Sequence, residues 1–112
     1  MDELELVAAF GAKWAEHDLE SALAMLTDDC VFEATGPAPD GMRCVGPAAI
    51  RGQWAPIFCD PRSIFEEEEM FRADDRVVQR WLYRWADGHV RGVDLFRIRD
   101  GKIAEKLSYV KG

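Results

Sequence analysis

Two Asp-Gly steps, in Ala86-Asp87-Gly88-His89 and Arg99-Asp100-Gly101-Lys102, constrain the fold of this chain more than any other feature. A two-residue hairpin loop of type I′ needs positive φ at both central residues, and Asp followed by Gly supplies it with little strain. Runs rich in β-branched and aromatic residues flank both steps, so the spacing predicts strands over 77–85, 90–99 and 102–110. A further run over 64–71 joins them through the turn residues Ala73-Asp74-Asp75-Arg76, giving an antiparallel meander.

With two-residue loops at both Asp-Gly steps, pairing sets Asp94 opposite Trp81 on one side and Leu107 on the other. One face then gathers Val77, Gln79, Trp81, Tyr83, Trp85, Val90, Gly92, Asp94, Phe96, Ile98, Ile103, Glu105, Leu107 and Tyr109. The other takes Val78, Arg80, Leu82, Arg84, Arg91, Val93, Leu95, Arg97, Lys106 and Val110. Asp94 stands out on the aromatic face, because moving an ionised carboxylate into apolar surroundings costs several kcal/mol unless it is paired or takes up a proton.

The first part of the chain reads as helical. Leu4, Val7, Phe10, Gly11 and Trp14 recur at helical spacing, with Asp2 and Glu5 as an acidic capping box, and predict a helix over 4–14. Asp18 caps a second helix over 19–26, whose inward stripe is Leu19, Ala22, Leu23 and Leu26. A strand over 30–35 follows, then loop chemistry in Gly36-Pro37-Ala38-Pro39-Asp40-Gly41, expected to be long and mobile. Pro47 opens a third helix that faces the core with Ile50, Trp54 and Phe58 and that Pro56 should disrupt. The order of two helices, a strand, a helix and four strands is an α+β plan, read as one domain over 1–112.

Charge narrows the partners. A net charge of −7, with no basic stripe interleaved with aromatics, argues against nucleic acid or an anionic membrane surface and for a small apolar ligand. No run of apolar residues is long enough for a membrane span, and the acidic start is wrong for a signal peptide, so a cytoplasmic protein is expected. Cys30, Cys44 and Cys59 have no CxxC or Cys/His spacing and read as reduced thiols, with Cys44, in a polar loop, the candidate for reactivity. No His/Asp/Glu cluster has metal-ligand spacing, and no cofactor is expected. In Glu66-Glu67-Glu68-Glu69, strand alternation sends two carboxylates to each face, and Arg76, Arg80 and Arg84 on the next strand are the expected ion-pair partners.

Four segments in order carry a resemblance: Trp14-Ala15-Glu16-His17-Asp18-Leu19-Glu20; Leu26-Thr27-Asp28-Asp29-Cys30-Val31-Phe32-Glu33; Gly46-Pro47-Ala48-Ala49-Ile50-Arg51; and Val93-Asp94-Leu95-Phe96-Arg97-Ile98-Arg99-Asp100-Gly101-Lys102-Ile103-Ala104-Glu105. Together the chain resembles the SnoaL-like branch of the nuclear transport factor 2-like superfamily. The resemblance implies a cone-shaped, curved mixed β-sheet wrapped around three N-terminal helices, one deep apolar pocket and, frequently, a homodimer. Its members include ketosteroid isomerases, polyketide cyclases, epoxide hydrolases and dehydratases, so the fold alone names no reaction.

Residue by residue, the resemblance puts Asp94 where isomerases keep a protonated strand acid and where cyclases place a catalytic Asp. It also puts Phe10 where isomerases have their oxyanion-hole Tyr, and Ala34 where they have their general-base Asp. The epoxide hydrolase carboxylates match Ser108 and a position near Val78; for the cyclase His, the nearest candidate is His89, on the Asp94 strand itself. Asp94 is therefore the candidate catalytic residue, for cofactor-free acid/base chemistry on an apolar carbonyl-bearing substrate. Phe10, Trp14, Phe32, Trp54, Trp81, Tyr83 and Phe96 are the candidate ligand-binding wall, with the Tyr83 hydroxyl a possible complement to Asp94. The alternative is a ligand-binding or sequestering domain without turnover. Glu105 reads as an edge residue paired with Gln79 or Arg97, and His17 as a helix-end residue with a structural role. The Val78, Leu82, Val93 and Leu95 face is expected to meet a second copy of the chain.

Overall fold

A computed structural model describes residues 1–112. Its elements are α1 (Glu3–Ala15), α2 (Leu19–Ala24), β1 (Leu26–Glu33), β2 (Arg43–Val45), α3 (Pro47–Phe58), β3 (Ile64–Ala73), β4 (Arg76–Trp85), β5 (Gly88–Arg99) and β6 (Lys102–Val110). The strands form one six-stranded sheet in the order β2-β1-β6-β5-β4-β3. Only β1 and β6 run parallel, which makes the sheet mixed. The sheet and the three helices enclose a core built on Val7, Phe10, Cys30, Ile50, Trp54, Val77, Phe96 and Ile103.

The caps are those the sequence predicts. Asp2 accepts from the Glu5 backbone N–H at 2.7 Å, and Asp18 accepts from that of Ser21 at 3.1 Å, each satisfying an otherwise orphaned helix donor. The second helix is shorter than expected, however. It stops at Ala24, and Leu26 already belongs to β1, paired with Ile103 of β6, where the Ile103 N–H donates to Met25 O at 2.9 Å. Leu26 is buried either way, so apolar periodicity does not distinguish the end of a helix from the start of a strand.

The Gly/Pro-rich segment after β1 is a long loop, as expected, and it joins the two arms of a hairpin with backbone hydrogen bonds across it. Ala34 N–H donates to Met42 O at 2.9 Å, Met42 N–H to Gly36 O at 3.0 Å, and Gly41 N–H to Pro37 O at 2.8 Å. Gly41 is obligatory here: its φ is +78°, and a Cβ would stand 1.8 Å from Ala34 O. The return strand β2 is three residues long, too short to show alternation. α3 also runs past Pro56 to Phe58. The backbone acceptor that Pro56 leaves without a donor is that of Gly52, which is exposed and open to water, so the helix continues at modest cost.

Register is where sequence and structure part most usefully. Asp94 pairs with Gln79 and Ser108, not with Trp81 and Leu107. Between β4 and β5 the loop is Ala86-Asp87, with Trp85 opposite Gly88 and no positive φ in the turn. That moves the pairing by two residues and leaves every side chain on its expected face. Between β5 and β6 the Asp100-Gly101 turn forms as expected, with φ of 54° and 75°, but a bulge at Arg97/Ile98 moves the pairing beyond it by one. A one-residue shift exchanges faces. Lys106 and Ser108 therefore join Asp94 and Phe96 on the inner face, while Glu105, Leu107 and Tyr109 turn outward.

Outside, the glutamate run is answered by arginines. Glu66 faces Arg84 at 3.6 Å, Glu68 faces Arg91 at 3.1 Å and Glu69 faces Arg80 at 2.7 Å. Glu67, beside a second bulge, accepts instead from Gln79 Nε2 at 3.2 Å. Arg76 pairs with Glu105 at 2.8 Å, and Arg97 with the same carboxylate at 3.4 Å. Of the apolar residues on this face, Leu82, in register with Glu66 and Arg91, is only 3% exposed. Val78, Val93, Leu95 and Leu107 are half-buried, and Tyr109 is 53% exposed. No helix is long and apolar enough to cross a membrane.

Candidate functional site

Inside the curve of the sheet lies a cavity of about 210 Å³. α1 contributes Phe10, Gly11 and Trp14, α3 contributes Ile57, and Phe32 comes from β1. The sheet supplies Phe65, Gln79, Trp81, Tyr83, Trp85, Val90, Asp94, Lys106 and Val110, and Thr35 completes the wall. An apolar, aromatic wall with a few polar groups is the usual constitution of a small-molecule site.

Of the sequence-predicted wall, Phe10, Trp14, Phe32, Trp81 and Tyr83 face this space. Trp54 and Phe96 do not. They are almost wholly buried behind it, with ring centroids 5.7 and 5.9 Å from that of Phe10. Both belong to the core stripes of α3 and β5, and apolar periodicity alone cannot tell a residue that lines a cavity from one that packs behind it.

Asp94 is 2% exposed and has a partner that the expected register had placed on the other face. Its Oδ2 lies 3.1 Å from the Lys106 ammonium, itself only 7% exposed. Neither Trp81 nor Arg80 answers the carboxylate: the Trp81 indole N–H has no acceptor, and Arg80 is engaged by Glu69. The Tyr83 hydroxyl makes no bond to Asp94 either; burial pushes its phenol above the ordinary tyrosine range.

Lys106 is held from several sides. It donates to Ser108 Oγ at 3.1 Å, and its Nζ stands 4.9 Å from the ring centroid of Phe32, 5.1 Å from that of Trp14 and 5.7 Å from that of Trp54. Aromatic faces attract a cation most where water is excluded. Trp54 thus takes part in the site from behind the wall, by stabilising the charge that pairs with Asp94.

The polar groups are not all satisfied. Asp94 Oδ1 and the indole N–H groups of Trp14 and Trp81 are buried with no hydrogen-bond partner, and all three side chains line the cavity. Leaving such groups unpaired typically costs about 1–3 kcal/mol each, more for a charge. Buried orphans of this kind call for a partner, which water or a molecule in the cavity would supply.

The remaining candidates fall outside the cavity. The ring nitrogens of His17 lie 3.0 Å from Phe58 O and 2.8 Å from Ser63 O, so His17 ties the end of α1 to the segment joining α3 and β3. His89 is exposed, opposite Arg84. Cys44, the candidate for reactivity because a polar loop was expected there, is instead buried on β2 within the core; Cys59 is the exposed cysteine. Burial pushes the Cys30 thiol up to about 12. No three His, Cys, Asp or Glu side chains converge in a way that could hold a metal.

A cone-like mixed sheet around three helices, with an aromatic cavity and a carboxylate on its inner wall, defines the class, and comparison with known proteins gives the family. The SnoaL-like domain profile matches residues 7–106, and the chain belongs to that family. An NTF2-like protein of unknown function from Mesorhizobium loti is 40% identical, with TM-score 0.85 over 100% of this chain and 96% of that one. A computationally designed 17-OHP binder is 26% identical, with TM-score 0.81 over 96% of this chain and 89% of that one. A Mycobacterium tuberculosis protein, solved in complex with estradiol-17beta-hemisuccinate, is 24% identical, with TM-score 0.79 over 95% and 91% of the two chains, and is similar in fold. No curated protein matches the chain.

Proposed function

We propose that this protein binds a small apolar, carbonyl-bearing molecule in the cavity and that Asp94 performs cofactor-free acid/base chemistry on it. The observation that carries the reading is Asp94 Oδ1, a buried acceptor without a partner on an aromatic wall. A carboxylate oxygen so placed can take a proton from carbon next to a carbonyl, and the ammonium of Lys106, 3.1 Å from the other oxygen, offsets charge that develops nearby. The designed 17-OHP binder, 26% identical and of the same fold, supports a small, largely apolar ligand in a cone of this shape.

The probe is 2-tetralone, apolar and acidic next to its carbonyl, followed by NMR as it takes up deuterium from D2O. The native protein is expected to exchange it at least about 100-fold faster than Asp94→Asn, the lower range of general-base contributions. Equal rates, with ligand-induced shifts in the tryptophan signals retained, would leave the second reading: binding without turnover. That second reading draws on Phe10 and Ala34, which stand at the positions of the isomerases' Tyr and general-base Asp.

The same reading includes a homodimer through the outer face of β5 and β6, where Val93, Leu95 and Leu107 are half-buried and Tyr109 is exposed in the isolated chain. Sedimentation velocity at micromolar concentration is expected to give the mass of two chains, and Leu95→Arg that of one. A wild-type protein that sediments as a monomer removes this part of the proposal.

A further inference from the structure

The two oxygens of Asp94 are in different circumstances. Oδ2 faces an ammonium at 3.1 Å, whereas Oδ1 is buried with no donor, on a side chain that lines the cavity. A carboxylate beside a lysine held by Ser108 and three aromatic rings is an acceptor only, the reverse of the neutral acid that donates a hydrogen bond. The indole N–H groups of Trp14 and Trp81 add unpaired donors to the same wall. A neutral hydroxyl complements this set, since it can donate to Oδ1 and its oxygen can accept from an indole N–H. A ketone or ether leaves Oδ1 unpaired, and a carboxylate brings a second negative charge to it.

Building on the cavity reading above, we infer that the site selects ligands presenting a neutral hydroxyl to Asp94 Oδ1, a phenol or the enol form of a carbonyl compound, with Lys106 setting that polarity. The Lys106–Asp94 pair thus determines specificity by fixing which partner of a hydrogen bond the ligand must supply.

Three naphthalene probes, titrated by calorimetry, test this: 2-naphthol, 2-methoxynaphthalene and 2-naphthoate. The wild-type protein is expected to bind 2-naphthol roughly tenfold or more tightly than either other probe, since hydrogen bonds to charged groups are the strong ones. Comparable affinity for 2-naphthol and its methyl ether would overturn the inference and leave the cavity reading standing. Tightest binding of 2-naphthoate would also overturn it, by showing that Lys106 and not Asp94 meets the ligand. Binding of none of the three would remove the cavity reading and the inference with it. In the double variant Asp94→Leu/Lys106→Met the preference for 2-naphthol over its ether is expected to vanish; a preference that persists there counts against the inference.

Discussion

Lys106→Met is expected to lower the unfolding free energy by about 3–5 kcal/mol, the cost of breaking a buried ion pair by removing one partner. The physical reason is what it leaves behind. Asp94 is 2% exposed, its Oδ1 already has no partner, and without the ammonium Oδ2 has none either. The converse change should be milder. In Asp94→Asn the lysine keeps the Ser108 hydroxyl and the faces of Phe32, Trp14 and Trp54 at 4.9–5.7 Å, so a loss of about 1–2 kcal/mol is expected. Removing both charges in Asp94→Leu/Lys106→Met should restore most of the stability or exceed it, because apolar side chains of similar volume avoid the desolvation cost of the pair. Urea unfolding of the four proteins gives the result directly. A single Lys106→Met loss under about 1 kcal/mol, or a double variant no more stable than Lys106→Met, would show that Asp94 and Lys106 are not coupled as a buried ion pair.

That pair also marks the boundary of what the sequence makes legible. The helix caps at Asp2 and Asp18, the Pro47 start of α3, the strands of the meander and the Asp100-Gly101 turn all follow from local chemistry, and the structure has them. The inner-face position of Asp94 was legible too, because the turn at Ala86-Asp87 differs from the expected one by an even shift. Lys106 was not. Its place depends on one extra residue in β6, Ala104, which lies unpaired between the Ile98–Ile103 and Arg97–Glu105 pairs in a run with no Gly or Pro to signal a bulge. The short strand β2 was hidden for a different reason, since its pairing with β1 rests on a backbone turn closed by Gly41 rather than on alternation. The division between lining and packing residues, with Trp81 on one side and Phe96 on the other, depends on the curvature of the whole sheet, which no local window contains.

Gly92→Ala is the second large effect, expected to cost about 3 kcal/mol, at the upper end of overpacking penalties. Gly92 lies opposite Trp81 on β4 and Val110 on β6, and no positive φ demands a glycine there. Space does. A Cβ would meet the Trp81 ring at 2.4 and 2.5 Å and the Tyr109 carbonyl oxygen at 2.6 Å. The carbonyl belongs to β6 and cannot retreat without loosening the ladder, so the Trp81 ring must swing, and that ring is cavity wall. Stability and ligand binding should therefore fall together: a lower urea midpoint by tryptophan fluorescence, and weaker 2-naphthol binding in the protein that remains folded. Gly52→Ala is the matched control, because Gly52 lies within α3 with nothing within 4 Å of a Cβ. There the same methyl group should stabilise by about 0.5–1 kcal/mol through helix propensity and leave binding unchanged. Opposite signs for the two glycines are what close approach of Trp81 to the β5 backbone requires; equal, small effects would mean that the Trp81 ring is not held against Gly92 and that this part of the cavity wall is free to move.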